Sequence, residues 1–287
     1  MPLAALVLVL GAAVCHSSWN LLVKSDARRL EIQSGALIVG AVLCSPVLLM
    51  YPLSSVSRVA WGVILLSGLL ETAYVFALSA AYGAGDLSLV YPVARGTPPL
   101  LVVPLAIVFL GERPSWQGLA GIGLVVLGIC ASHAGPAAGH GPGQPNRRAL
   151  GLALLTGVFT AGYSLVNKVG VHLVPVPLYA LLVFGVDAAL ISLVRWVRGG
   201  PAAPRLRDAP CGRIVVVGVL MMAAYLAVLA AMVQAPVSYV VAAREVSVVV
   251  AVVLGALVLG ERHSAARVAG AAVIFTGLVL LALSRSP

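Results

Sequence analysis

Residues 110–128 return as residues 259–277. Leu110-Gly111-Glu112-Arg113 recurs as Leu259-Gly260-Glu261-Arg262, and at the same offset Ser115 matches Ser264, Ala120 matches Ala269, Gly121 matches Gly270 and Gly128 matches Gly277. Each copy closes one apolar run and opens the next. The chain therefore reads as two related membrane-embedded halves. A duplication of this size in a membrane protein points first to a transporter whose site lies between the halves.

The membrane reading rests on composition. The chain is 61% apolar and 9% charged with a mean hydropathy of +1.08, which leaves too little polar surface for a soluble fold of 287 residues. Apolar stretches near the ~20 residues of a spanning helix fall at about 3–23, 33–53, 59–82, 86–110, 116–133, 149–169, 176–197, 212–233, 236–259 and 265–284. Lipid offers no partner to an open backbone, so these must be helices packed in a bundle. The expected fold is all-α and polytopic, with ten transmembrane helices. Residues 1–133 form the first five-helix repeat, the Gly/Pro-rich stretch 134–148 a linker, and 149–287 the second repeat. Five helices is an odd number, so the second repeat enters from the opposite side and the repeats are inverted.

The net charge of +9 does not mark a nucleic-acid binder, because the basic residues are scattered over loops. On a ten-helix plan Arg28, Arg29, Arg147, Arg148, Arg195, Arg198, Arg205, Arg207, Arg213, Arg262 and Arg267 share one side, against Arg58, Arg113 and Arg285 on the other. The positive-inside rule makes the richer side cytoplasmic and leaves both termini outside the cell membrane. The first stretch lacks a basic leading region and has a repeat counterpart, so it reads as a helix and not as a signal peptide. Cys15, Cys44, Cys130 and Cys211 show no paired spacing, and His133, His140, His172 and His263 no metal-ligand spacing.

Several polar residues interrupt the apolar helices. His16, Asn20 and Lys24 follow one another at intervals of four in helix one, as do Thr160, Ser164 and Lys168 in helix six, and Trp19 corresponds to Tyr163. Residues four apart share a face, so each half carries a polar stripe ending in lysine. Lys24 and Lys168 lie near helix ends, where snorkelling to the interface is the plain alternative. Arg95 and Arg244 lie inside helices four and nine, after the related segments Tyr91-Pro92-Val93-Ala94 and Tyr239-Val240-Val241-Ala242-Ala243. A charge at the bilayer centre costs ~2.5–3.5 kcal/mol on insertion scales, so both need partners or a wet cavity. Glu71 and Glu245 are candidate structural partners; convergence of the two guanidinium forks on an anion is the functional reading. Glu71 has Met222 as its counterpart and is confined to the first half. It suits charge pairing or a coupling proton, with Asp187 as a second candidate. Pro92, Pro98 and Pro99 mark helix four for bending, Pro46 and Pro236 mark helices two and nine, and the paired glycines favour close helix contact or a dimer seam.

Together these features resemble the drug/metabolite transporter superfamily in its ten-helix EamA-type branch. The LGER element carries the resemblance, with HSSWNLLVK and YPVARGTPP. The resemblance implies alternating access around a central cavity built from the first four helices of each half. The leading expectation is a secondary transporter of a small organic anion or zwitterion. Lys24, Arg95, Lys168 and Arg244 would supply positive potential, Asn20 and Ser164 orienting hydrogen bonds, and Trp19, Tyr91, Tyr163 and Tyr239 the walls. Glu71, Asp187 and Glu245 would couple or pair charge. The alternative is an amino-acid or drug exporter with structural arginines. A remote one is an intramembrane aspartyl protease, from Gly83-Ala84-Gly85-Asp86 and Asp187. No HExxH, nucleophile elbow or Walker loop is present, so neither an enzyme nor a cofactor is expected. The expected partners are the substrate, a coupling proton or counter-substrate and the bilayer, for a monomer or homodimer.

Overall fold

A computed structural model describes residues 1–24, 29–85, 87–132, 147–197, 211–250, 253 and 264–284, with only the backbone of residues 24, 29, 30 and 87–89. All regular structure among them is helical. The helices are α1 (Leu3–Lys24), α2 (Arg29–Cys44), α3 (Val47–Met50), α4 (Arg58–Ala84), α5 (Leu87–Leu110) and α6 (Trp116–Ser132), then α7 (Arg147–Leu173), α8 (Val176–Val197), α9 (Cys211–Gln234), α10 (Val237–Arg244) and α12 (Ala265–Leu283), preceded by α11, described over 246–250. Among the described residues, eight spans are long and apolar enough to cross a membrane, and α6 is a shorter apolar helix. Large apolar side chains such as Leu49, Phe109 and Trp116 stand on the outer surface, as expected of a bundle solvated by lipid.

The first LGER element is a helix stop followed by a helix start. Gly111 has φ +67°, a left-handed conformation that ends α5 without strain. Ser115 Oγ accepts from the Gly118 amide at 3.2 Å and caps α6. Its repeat counterpart Ser264 accepts from the Arg267 amide at 3.3 Å and caps α12. Each serine satisfies an amide that the helix itself leaves unpaired.

The contacts between halves come in matched sets. α1 packs on α9 as α4 packs on α7; α2 meets α9 as α4 meets α8; and α5 meets α7 as α1 meets α10. α2 with α8, α5 with α10 and α6 with α12 are self-matched pairs. A twofold relation exchanging the halves produces this pattern. The α6–α12 contact is built on glycine: a Cβ on Gly121 would stand 2.8 Å from the Gly277 carbonyl oxygen, and one on Gly128 2.7 Å from that of Gly270. These glycines face each other within one chain, so their close approach joins the two halves.

Proline coincides with an interruption in one span and not in another. α2 and α3 are separated at Ser45–Pro46, as Pro46 suggests. α5, however, runs unbroken through Pro92, Pro98, Pro99 and Pro104. The interruption falls in its counterpart, where α10 ends at Arg244 and helix resumes after Glu245. There Val248 N donates to Glu245 O at 3.0 Å, a tightened turn that sets two charged residues beside each other. Of the 134–148 linker, residues 134–146 lie outside the described residues, as do Asp86 and the second LGER element, whereas Arg147 and Arg148 already open α7.

Candidate functional site

Where α5 of the first half meets α10 of the second, a narrow cavity is lined by Arg95, Pro98, Arg244 and Glu245, with Tyr74 and Leu78 from α4 and Thr156, Thr160 and Tyr163 from α7. Arg95 and Arg244 thus converge from separate halves. Arg95 Nη1 lies 3.8 Å from Glu245 Oε1, its Nη2 is 3.3 Å from His16 Nε2, and its guanidinium carbon is 5.7 Å from the Tyr91 ring centroid. Arginine has no lone pair to offer, so the His16 contact requires Nε2 to accept and the proton to sit on Nδ1. Arg244 lies against Tyr163. Tyr74 and Tyr163 pack edge to face with centroids 5.9 Å apart.

Proline leaves backbone acceptors beside this cavity without their helical donors. Pro98 and Pro99 have no N–H to offer the carbonyls of Ala94 and Arg95, four residues earlier. Ala94, Arg95 and Pro98 all belong to the cavity wall. Four prolines in one helix are tolerated where a cavity or a neighbour satisfies the freed carbonyls.

Glu71 sits nearby in a polar network. Its Oε1 accepts from Tyr225 Oη at 2.8 Å and from Asn167 Nδ2 at 3.0 Å. Asn167 is fixed in turn by Tyr179, whose hydroxyl donates to Oδ1 at 2.8 Å, and by Ser67. Asp187 stands against Glu71 and accepts from Thr72 Oγ1 at 3.0 Å. Arg244 is close enough to Glu71 to act on its charge, but the carboxylate is held by neutral donors. Tyr74 and Tyr225 occupy the same place in their repeats, one as cavity wall and one as a Glu71 donor.

Other expected site residues are used elsewhere. Lys168 Nζ donates to the carbonyls of Met232 and, at 3.0 Å, Ala235, capping the end of α9. Tyr239 is fully buried, and its hydroxyl accepts from the Ser115 amide at 2.9 Å at the start of α6. Ser164 is buried and bonds back to Thr160 O at 2.7 Å; Asn20 Nδ2 bonds back to His16 O at 2.9 Å. Trp19 packs edge to face on His16 with centroids 4.9 Å apart. Lys24 ends α1, and its side chain lies outside the described residues. Tyr74, Thr156, Asn167 and Tyr225 were not singled out from the sequence; hydroxyl and amide groups within apolar helices were the available signal. Among the described residues, no three of His, Cys, Asp and Glu gather into a metal site.

A model of the EamA-like transporter family matches the chain twice, over residues 3–132 and 147–283. None of the curated proteins compared matches it in sequence. Among solved structures, one titled only "Crystal structure of protein" aligns with a TM-score of 0.79 at 18% identity, covering 99% of this chain and 98% of its own; at that identity the likeness is one of fold. The family comprises transporters and not enzymes, which removes the protease reading of Asp187. With nearly its whole length accounted for by two copies of the family unit, this multi-pass membrane protein belongs to the EamA-like transporter family.

Proposed function

We propose that the protein is a secondary transporter of a small organic anion or zwitterion, bound between Arg95 and Arg244 and moved by alternating access. The observation that carries this reading is that two arginines from different halves line one cavity inside the bundle. Arg95 has Glu245 at 3.8 Å, whereas Arg244 has no carboxylate within 4.0 Å among the described residues, and a guanidinium in that position suits the anionic group of a ligand. Because the site is built from both halves, rocking one half against the other would expose it to each side in turn. The matched contacts between halves support inverted repeats, 1–133 and 149–287 joined by 134–148. The loop charges support a cell membrane orientation with both termini outside. Glu71 and Asp187 are the candidates for a coupling proton.

A second reading has a specific observation behind it: the 3.8 Å Arg95–Glu245 pair makes Arg95 a structural residue of an amino-acid or drug exporter. One experiment separates the two. Thermal shifts of the detergent-purified protein are measured against carboxylates, phosphates, phosphonates, amines and neutral drugs, and repeated with Arg95→Ala and Arg244→Ala. Stabilisation by organic anions that disappears in both variants supports the anion site and selects compounds for liposome flux. Stabilisation by amines or neutral drugs that survives both substitutions overturns it in favour of the exporter.

A further inference from the structure

A second hollow lies away from the central cavity, at the end of α5. It is an open groove of about 520 Å³, walled by residues 110–113 of the α5–α6 loop, Lys168 of α7 and residues 233–236 between α9 and α10. It shares no lining residue with the Arg95–Arg244 cavity. Its wall is made at helix ends: α5 stops at Leu110, α9 at Gln234, and Lys168 stands within about 8 Å of the end of α7 at 1.5 Å per residue. The groove therefore sits where the bundle leaves the hydrocarbon. Apolar side chains accompany it in the chain. Phe109, before Leu110, is 73% exposed, Val233 of the wall is exposed, and Trp116 at the start of α6 is 86% exposed. An outward tryptophan at a helix end belongs to the membrane–water interface.

The charge left over in this groove is positive. The turn at Gly111 divides the two residues after it, with Glu112 half-buried and Arg113 exposed. Glu112 is the one carboxylate in the wall, and both its oxygens are engaged by Val237 and Ser238. Arg113 makes no ion pair within 4.0 Å among the described residues. Lys168 donates to the carbonyls of Met232 and Ala235, which are neutral, and an ammonium has a third N–H to give. Two cations, one with a planar fork suited to phosphate, thus stand beside lipid-facing apolar surface. A soluble anion leaves that apolar surface unused, and a lipid with a neutral head leaves the cations unmatched.

We infer that the groove binds the headgroup of an anionic phospholipid, with its phosphodiester on Arg113 and Lys168 and its acyl chains along Phe109 and Val233. Basic groups at the bilayer surface select such lipids by charge. Arg113 belongs to the first half and Lys168 to the second, so the bound phosphate ties the halves together. It does so at the turn where Glu112 already reaches Ser238. A ligand that binds this arrangement stabilises it by mass action.

The test uses the full chain in dodecyl maltoside, stripped of lipid and titrated with dioleoyl phosphatidylglycerol or dioleoyl phosphatidylcholine. Phosphatidylglycerol should raise the thermal midpoint, with half its effect at a mole fraction roughly fivefold lower than phosphatidylcholine needs, the worth of one basic group beside an anionic lipid. Arg113→Gln should remove that difference. Arg58→Gln, which takes the same charge from the exposed first residue of α4 outside the groove, should keep it. Arg95→Ala and Arg244→Ala should keep it too. Equal effects of the two lipids on wild type overturn the inference, and this comparison needs no variant. Equal losses in Arg113→Gln and Arg58→Gln overturn it in favour of overall surface charge. Loss in the cavity variants with retention in Arg113→Gln moves the lipid to the central cavity and overturns it as well. If glycerol 3-phosphate or inorganic phosphate at millimolar concentration reproduces the shift, the groove is a site for soluble anions and the lipid assignment falls.

Discussion

Glu112, in the loop that closes the fourth span, accepts a 2.6 Å hydrogen bond from the hydroxyl of Ser238 in the other half. The same carboxylate accepts from the Val237 amide at 2.5 Å and the Ser238 amide at 3.3 Å. It thereby supplies the N-terminal cap that α10, which begins after Pro236 with no side-chain cap of its own, lacks. An anion at a helix N-terminus is favoured by the unpaired amides and by the helix dipole together. Glu112→Ala should lower stability by about 1–2 kcal/mol, read as a drop in thermal midpoint in detergent. Glu112→Gln should recover part of it, since one carboxamide oxygen remains to accept.

At the other side of the same turn, Lys168 holds the final carbonyls of α9. A cation there completes the helix C-terminus as Glu112 completes the next N-terminus. Lys168→Met should lower stability by about 1 kcal/mol while leaving Kd for any ligand of the Arg95–Arg244 cavity within about twofold, a change small beside the tenfold that 1.4 kcal/mol represents. A variant that melts like wild type but no longer binds ligand would return Lys168 to the binding site.

These two residues show what was and was not legible in the sequence. Charge inside an apolar helix is rare and costly, so Arg95, Arg244, Glu71 and Glu245 announce themselves, and the repeat placed the two arginines together. The partner of Lys168 is a pair of backbone carbonyls 64 and 67 residues away, and carbonyls carry no sequence signal. Tyr239 aligned with the approach to Arg244, yet its hydroxyl serves Ser115 at the start of α6; periodicity gives a face but not the neighbour on it. The spans were legible because lipid demands about 20 apolar residues in a row. The break at Glu245 was not, because neither proline nor glycine marks it; what accompanies it is tertiary, with Ser17 Oγ of α1 donating to Ser247 O at 3.0 Å.

The α6–α12 contact predicts an asymmetry between glycines in one helix. A Cβ on Gly128 would lie 2.7 Å from the Gly270 carbonyl oxygen and 2.7 Å from the Ile274 backbone nitrogen, whereas a Cβ on Gly123 would meet nothing within 4 Å. Backbone cannot shift as a side-chain tip can, so Gly128→Ala should cost about 1–3 kcal/mol by overpacking. Gly123→Ala should instead be neutral or stabilising by up to about 1 kcal/mol through helix propensity. Thermal midpoints of the two variants in the same detergent check this. Equal values would mean that α6 and α12 do not meet at their glycines in the purified protein.

Glu71 offers the sharpest separation of structure from coupling. Its Oε1 is the shared acceptor of Tyr225 and Asn167, and a glutamine keeps an oxygen at that place while an alanine removes it. Glu71→Ala takes the acceptor from the Tyr225 hydroxyl, while Asn167 Nδ2 keeps its 3.2 Å bond to Tyr225 Oη, and should cost about 1–3 kcal/mol. Glu71→Gln should stay within about 1 kcal/mol of wild type, because its carbonyl oxygen replaces the one the donors use. With a folded Glu71→Gln protein in liposomes, substrate-for-substrate exchange tests binding and movement, while uptake driven by a pH gradient tests the proton. If Glu71 carries the coupling proton, exchange persists and gradient-driven uptake is lost, since a carboxamide moves no proton. If both persist, Glu71 is an architectural acceptor and Asp187, one hydrogen bond from Thr72, becomes the residue to replace.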